Sequence, residues 1–273
     1  MSISQVQKSL VLGAAMFVGA AASAAAQDVT PSFGATVPGS WYTDRYTPAG
    51  FGLTNATHGR NDVLNIGITS AGDLGNRGSG YGYTFYNTQG KKYDINAAGS
   101  FMLKADLWVA GAWATNDPHS NNSRRTDMWG TAIDAIGDPA AYPIIGFTNY
   151  GGAGLFRGYD VNTGAWMNFA STVNYDAWNT LQIEYNATTF LFSYSVNGLL
   201  AGTVLGDGFA VGLGNIIMQA YNFNDPALTN GSTDYTALWS NTPAIAAVPE
   251  PASIALLATG LFGIGFIARR KRA

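Results

Sequence analysis

Hydrophobic and polar residues alternate with a period of two through most of the chain. The clearest case places five apolar residues on one face of a strand: Phe101, Leu103, Ala105, Leu107 and Val109. Lys104, Asp106 and Trp108 would point the other way. Successive side chains of a β-strand point to opposite faces, so this pattern predicts a half-buried strand.

Nine further runs show strand-like patterns and are separated by turn-forming residues. The runs are Val63–Thr69, Tyr81–Asn87, Tyr142–Thr148, Leu155–Val161, Trp166–Ala170, Leu181–Tyr185, Phe190–Val196, Asn215–Phe223 and Tyr235–Ser240. Turn clusters include Gly72–Asn76, Asn162–Gly164 and Asn197–Gly198. The middle of the chain offers no clear helical stripe. About ten short strands with tight turns predict a β-sandwich or a β-barrel.

Two neighbouring runs carry a more specific signal. Trp178-x-x-Leu181-x-Ile183-x-Tyr185 is followed, after the short loop Asn186–Thr189, by Tyr194-x-Val196-Asn197-Gly198. This pair resembles adjacent strands of concanavalin A-like (laminin-G-like) jelly rolls. The resemblance implies an all-β fold, a two-sheet antiparallel jelly-roll sandwich over residues 27–242. A β-sandwich of another topology is the alternative.

The N-terminus has the pattern of a secretory signal peptide. Lys8 supplies the positive charge, Leu10–Ala22 forms an apolar segment, and Ala24–Ala26 offers small residues for cleavage. We expect residues 1–26 to be removed, with the cut between Ala24 and Ala26.

The C-terminus combines a short polar motif, an apolar run and a basic end. The motif and the basic residues are Pro249, Glu250, Pro251, Arg269, Arg270, Lys271 and Arg272. Ala252–Ala268 lies between them and, at 1.5 Å per residue, would form about 25 Å of helix. This predicts a C-terminal transmembrane helix whose basic end stays in the cytoplasm.

This tail resembles the PEP-CTERM sorting signal of Gram-negative bacteria, which the membrane protease exosortase processes. The resemblance divides the end of the chain into a linker at 243–248 and a sorting signal at 249–273. It implies export, an inner-membrane intermediate, and delivery to the cell surface or the exopolysaccharide matrix. In this interpretation Pro249-Glu250-Pro251 is the protease's substrate.

The charge of the exported body limits its partners. Residues 27–248 hold nine Lys and Arg against sixteen Asp and Glu, a net charge near −7. Such a surface disfavours nucleic acid and anionic lipid, which require basic residues. The chain has no cysteine, so a hydrophobic core must stabilise the fold without disulfides.

Catalytic motifs are sparse. The body has one glutamate, Glu184, and no Glu-x-Asp-x-Glu run to supply the paired carboxylates of a retaining glycosidase. A Gly-x-Ser-x-Gly elbow is absent, and the two histidines, His58 and His119, lie in loop-like segments. We therefore predict a protein that is not an enzyme and needs no cofactor.

Calcium is a weaker hypothesis, because it prefers oxygen ligands. Asp117 and Asn121 lie in one Asn-rich segment, and Asp134 and Asp138 form a second pair. Turn geometry explains Asp and Asn in such loops without a metal.

Three tryptophans suggest a sugar-binding surface, since sugar rings stack on aromatic faces. Trp108 lies on the polar face of its strand, and Trp113 and Trp129 flank the Asn-rich segment. The main hypothesis is an exported, non-enzymatic surface protein that binds carbohydrate. A purely structural matrix protein and a glycan-active enzyme of the same fold are the alternatives.

Overall fold

Strands make up nearly all the regular structure in the computed structural model, which describes residues 26–37, 39–45, 47–54, 57–69, 87–115, 122–223 and 234–241. In these residues the strands are β1 (Gln27–Asp28), β2 (Tyr42–Thr43), β3 (Gly50–Thr54), β4 (Val63–Ile68), β5 (Thr88–Ala98), β6 (Phe101–Val109), β7 (Arg125–Ile133), β8 (Pro139–Ala141), β9 (Ile144–Thr148), β10 (Leu155–Asp160), β11 (Ala165–Asn168), β12 (Ala177–Asn186), β13 (Leu191–Val196), β14 (Leu199–Leu205), β15 (Gly212–Tyr221) and β16 (Tyr235–Ser240). Helical segments are short: α1 (Phe33–Thr36) and a 3-10 turn at Gly111–Trp113.

The strands form two sheets, each with strands from distant parts of the chain. Sheet 1 has the order β14-β13-β12-β6-β16-β4-β3, and β1 adds to β6 in parallel. Sheet 2 has the order β11-β10-β9-β7-β15-β5-β2, and β8 pairs with β7. The other pairings are antiparallel. The predicted all-β, two-sheet jelly-roll sandwich is confirmed.

The core lies between the two sheets and follows the predicted alternation. The five apolar residues of β6 are at most 1% exposed, and β6 pairs with β12 so that Leu103 lies opposite Ile183. The indole of Trp239, on sheet 1, donates a hydrogen bond to the hydroxyl of Thr126 on sheet 2, at 2.8 Å. Apolar burial and this buried hydrogen bond together hold the sheets face to face.

The predicted hairpin between β12 and β13 is present, with Leu181 paired to Val196. The turn that follows has positive φ at both Asn197 and Gly198, 51° and 79°. Tight hairpin turns of this kind require positive φ at both central residues, which Asn and Gly tolerate. One detail differs: Phe190 lies in the preceding turn, with φ of 58°, and is 38% exposed.

Strands β5, β7 and β14 were not predicted, nor were the shorter β1, β2, β3 and β8, and β7 lies at the centre of sheet 2. In β7 the inward positions include Thr126 and Gly130, which are polar or small, so the alternation is hidden. In β5 the neighbouring Lys91 and Lys92 hide it in the same way. Most of the predicted run Tyr81–Asn87 lies outside the described residues.

No helix in the described part of the chain is long and apolar enough to cross a membrane. The predicted transmembrane segment at 252–268 and all but the last residue of the predicted signal peptide lie outside that part.

Candidate functional site

The outer face of sheet 2, which points away from sheet 1, carries a cleft of about 590 Å³. Its walls come from β5, β7, β9, β10, β11 and β15 and from the loop containing Asp44 and Arg45. In β7 the residues Arg125, Asp127 and Trp129 point outward, since the residues between them point toward the core. Strand alternation thus places charged and aromatic side chains side by side.

One row of residues crosses five strands of this face. Pairing aligns Arg157, Gly146, Asp127, Gln219 and Gly90. Gly146 and Gly90 lie on either side of Asp127 and Gln219, so two of the five positions in this row have no side chain above the sheet. A Cβ added at Gly146 would lie only 2.3 Å from the Oδ1 of Asp127. The row therefore consists of three polar residues and two glycines.

A second row beside it is largely aromatic. Trp166 is paired with Tyr159 on the neighbouring strand, and their rings meet edge to face at 5.3 Å. Trp129 is opposite Ile144 and Ile217 and forms a small apolar cluster with them, separate from the main core. The Tyr142 ring contacts the Trp129 ring and is 41% exposed.

Asp127 is a buried acid that lies between Arg125 and Trp129, two residues that line the cleft. Its side chain is 1% exposed, and its Oδ2 receives the Nε–H of Arg125 at 2.8 Å and the amide of Gln219 at 3.4 Å. Its Oδ1 is buried and has no hydrogen-bond partner within the described segments. A carboxylate this enclosed depends on Arg125 to offset the cost of its burial.

Arg45 covers the other end of the polar row. Its guanidinium donates to the Gln219 side chain at 2.5 Å, pairs with Asp44 at 2.8 Å, and lies 4.7 Å from the centre of the Trp129 ring. These contacts fix the loop above the sheet and make Arg45 a wall of the cleft.

Arg157 differs from Arg45 and Arg125 because no carboxylate in the described part of the chain forms a salt bridge with it. Its guanidinium lies 3.7 Å from the centre of the Trp166 ring, and Arg125 lies 4.8 Å from the same ring. Among the described residues the Arg157 side chain forms no hydrogen bond, and its Nε is buried. Burial, followed by the charge of Arg125, lowers the pKa of Arg157 to about 10.

The cleft has the groups that hold and modify polar ligands. Aromatic rings provide stacking surfaces, while guanidinium, amide and phenol groups provide hydrogen bonds. At the rim, the Tyr42 hydroxyl donates to Asp94 at 2.6 Å. This hydrogen bond, with burial and nearby negative charge, raises the pKa of Tyr42 to about 12.

The three predicted sugar-binding tryptophans lie in three different places. Trp129 is in the cleft, although it is only 5% exposed. Trp108 lies on the outer face of sheet 1, and Trp113 is buried in the core against Phe147 and Tyr235. The structure therefore does not bring them together in one groove.

Sequence reasoning missed the other cleft residues. Apolar alternation does not indicate Arg125, Asp127 and Arg157, because it identifies the residues that face the core and says nothing of charged residues on the outer face. Charged residues at two-residue spacing beside a tryptophan, as in Arg125-x-Asp127-x-Trp129, are the signal that could have found the cleft.

The calcium candidates are divided by the structure. Asp117 and Asn121 lie outside the described residues. The Asp134 carboxylate accepts backbone N–H groups from Ile136 and Asp138, at 3.0 and 2.9 Å, which is ordinary turn geometry. In the described segments no three His, Cys, Asp or Glu side chains cluster as a metal site would require.

Solved structures similar to this chain include alginate lyases, a lichenase and a sialidase. An alginate lyase, vAL-1 from Chlorella virus, aligns over 74% of this chain and 91% of its own, with 14% identity and a TM-score of 0.45. A β-1,3-1,4-glucanase (lichenase) from a mouse hindgut metagenome aligns over 77% of this chain and 95% of its own, with 16% identity and a TM-score of 0.42. A sialidase aligns over 73% of this chain, which spans only 16% of that protein's length, with 10% identity and a TM-score of 0.43.

These similarities contradict the prediction that the protein is not an enzyme, because the similar structures include alginate lyases, a lichenase and a glycosidic hydrolase. At identities of 8–16% and TM-scores below 0.5, these similarities assign neither an activity nor a substrate to this chain. No curated protein sequence matches the chain.

The tail gives the one family match. Residues 247–272, which include Pro249-Glu250-Pro251 and the basic end, match the model described as the PEP-CTERM protein-sorting motif. The motif implies passage through the membrane and processing by exosortase, a membrane protease. The chain is thus an exported protein with a two-sheet jelly-roll body and a PEP-CTERM protein-sorting motif at residues 247–272.

Proposed function

We propose that this exported protein binds a polysaccharide along the outer face of sheet 2 and acts on the bound chain there. The observation that carries the proposal is the pair of parallel rows across the sheet. One row offers the Trp166 and Tyr159 rings for stacking, and the other offers the guanidinium of Arg157 for polar contacts. Sugar units have apolar ring faces and polar edges, so both rows contribute to binding.

The cleft also has groups suited to proton transfer. Tyr142, Tyr159 and Lys92 line it, and phenol and ammonium groups serve as general acids and bases in enzymes. Both carboxylates of the cleft centre, Asp44 and Asp127, are held by arginines. We therefore assign proton transfer to a phenol or the ammonium group rather than to a pair of carboxylates.

The first experiment measures binding and cleavage together. The full chain, purified in mild detergent, is titrated with a panel of bacterial exopolysaccharides by calorimetry. New reducing ends, which both hydrolysis and elimination create, report cleavage. We expect Trp166→Ala to weaken binding about tenfold or more, equivalent to about 1.4 kcal/mol of lost stacking.

The matched control is Trp108→Ala, which removes the same side chain from the outer face of sheet 1. It should leave binding unchanged. Equal losses in both variants, or the absence of binding to every polysaccharide, would contradict the proposal for this cleft.

We also propose a route for the protein. Residues 1–26 are removed during export, 243–248 link the β-domain of residues 27–242 to the tail, and a helix within 249–273 anchors an inner-membrane intermediate. Exosortase then cuts near Pro249-Glu250-Pro251, and the domain reaches the cell surface or extracellular matrix of a Gram-negative bacterium.

The route predicts that Glu250→Ala blocks processing, since Glu250 is the charged residue of the motif. Fractionation followed by immunoblotting should show the longer form in the inner membrane. Glu184→Ala, which removes the glutamate of β12, is the control and should be processed normally. Equal surface release of both variants would disprove this use of the motif.

A further inference from the structure

We infer that the polysaccharide recognised by this cleft is acidic, and that Arg125 and Arg157 bind a carboxylate of one of its sugar units. The inference rests on the proposed function, and it adds the class of glycan and the residues that select it.

The first argument is the balance of charge beneath Trp166. Arg125 and Arg157 both contact this ring, and their positive charges face a single carboxylate, that of Asp127. Arg125 pairs with that carboxylate, while the Arg157 side chain forms no salt bridge within the described residues, which leaves a net positive charge in a partly buried position. A second carboxylate, supplied by a ligand, would complete the pairing.

The second argument is the free hydrogen-bonding capacity of Arg157. In the described residues no acceptor contacts its guanidinium, although the side chain is largely buried and held against Trp166. A guanidinium fixed on an aromatic ring loses little entropy on binding, and its fork of N–H groups matches a carboxylate. Its lowered pKa has the same origin, namely a buried charge next to a like charge.

The third argument is where the basic residues lie. The body has a net charge near −7, yet four of its nine basic residues are on this one face: Arg45, Lys92, Arg125 and Arg157. Three acids accompany them: Asp44, Asp94 and Asp127. An acidic chain would be repelled by most of the surface and attracted to this face, which orients its approach.

The test compares acidic glycans with their own neutral forms. Polygalacturonate, polymannuronate and hyaluronan are each paired with a carboxyl-reduced sample of the same chain. Each pair is titrated against the full-length protein in mild detergent. We expect at least one acidic glycan to bind about tenfold or more tightly than its neutral form, with the preference falling as salt rises.

Arg157→Gln should reduce that preference to about threefold or less, and Arg157→Lys should leave an intermediate value, since it keeps the charge and loses the fork. Lys104→Gln removes one positive charge from an exposed position on sheet 1 and should keep the full preference. The acidic-to-neutral ratio within one variant does not depend on how much of the protein is folded.

Two outcomes would overturn the inference while leaving the proposed function intact. One is equal or tighter binding of the carboxyl-reduced glycans by the parent protein. The other is an unchanged preference in Arg157→Gln. If no glycan binds, acidic or neutral, the cleft itself is not a glycan site, and the proposed function fails together with the inference.

Discussion

The outer faces of the two sheets carry the same kinds of residues in different arrangements. On sheet 1, His58 lies flat on Trp108 at 3.6 Å, and Trp178 meets the same ring edge to face at 5.6 Å. Arg60 covers Trp178 and pairs with Asp106. On sheet 2, Trp166 contacts two arginines, and among the described residues only one of them, Arg125, pairs with an aspartate, Asp127.

The difference lies in which groups are already satisfied. On sheet 1 each ring is covered by another, and one arginine pairs with one aspartate, so the cluster is complete within the chain. On sheet 2 the positive charge exceeds the negative, and the Tyr142 ring stays largely exposed. The presence of tryptophan on the polar face of a strand does not by itself mark a binding site. Unmatched charge beside an open ring is the better indicator.

The largest expected effect comes from Asp127→Asn. This change leaves Arg125 and Arg157 close together without a counter-ion, and we expect the free energy of unfolding to fall by about 3–5 kcal/mol. Asp106→Asn on sheet 1 removes the carboxylate partner of Arg60. The Arg60 side chain is 11% exposed and the Asp106 side chain 16% exposed, so we expect the free energy of unfolding to fall by a smaller amount, about 1–2 kcal/mol. Urea unfolding of both variants measures the difference, and equal losses would show that the two faces do not differ in charge balance.

A smaller effect is expected from Gly146→Ala, which tests how tightly the polar row is packed. An added Cβ would lie 2.3 Å from both the Asp127 carboxylate and the backbone oxygen of Thr126. Because the backbone can move only at a considerable cost in energy, we expect the free energy of unfolding in urea to fall by about 1–3 kcal/mol. Gly152→Ala, where no atom lies within 4 Å of the added Cβ, should change stability by less than about 0.5 kcal/mol. Similar values for both would mean that the row can relax around a side chain.

The same comparison explains how much the sequence could predict. Strands with apolar residues at every second position, such as β6 and β12, were found because alternation of this kind has one structural meaning. The Trp178 to Gly198 pattern identified the hairpin and the jelly roll. Both signals come from the core, where solvent exclusion imposes a simple rule on residue type.

The cleft followed no such rule. Strand β7 has polar or small residues on both faces, so nothing in its pattern separates Asp127, which is buried, from an exposed turn residue. Arg157 lies near Arg125 because β9 pairs with β7 and β10 pairs with β9. This strand order brings together residues that are about thirty positions apart in the sequence. The balance between these two arginines and Asp127 depends on the order of the strands in the sheet, so the local sequence does not indicate it.

The smallest expected difference lies at the rim of the cleft, in the pair Tyr42 and Asp94. The hydrogen bond to Asp94 raises the pKa of Tyr42 to about 12 from an unfolded value of 10.0, so folding favours the neutral phenol. The resulting stability is fully present below pH 10 and is lost as the pH rises from about 10 to about 12. Because Tyr42 is 43% exposed, we expect Tyr42→Phe to cost less than about 1 kcal/mol at pH 8.

A double-mutant cycle with Asp94→Asn isolates this contribution from the buried tyrosines, Tyr194 and Tyr235, whose pKa values are also raised by burial. Their ionisation destabilises every member of the cycle equally and cancels. The coupling free energy between Tyr42 and Asp94, measured by urea unfolding, should be favourable at pH 8 and close to zero near pH 12. A coupling that is unchanged across this range would mean that the phenol does not lose its proton there. In that case the Tyr42–Asp94 pair would resemble the Arg60–Asp106 pair of sheet 1, whose charges are already paired within the chain, more than it resembles the open cleft beside it.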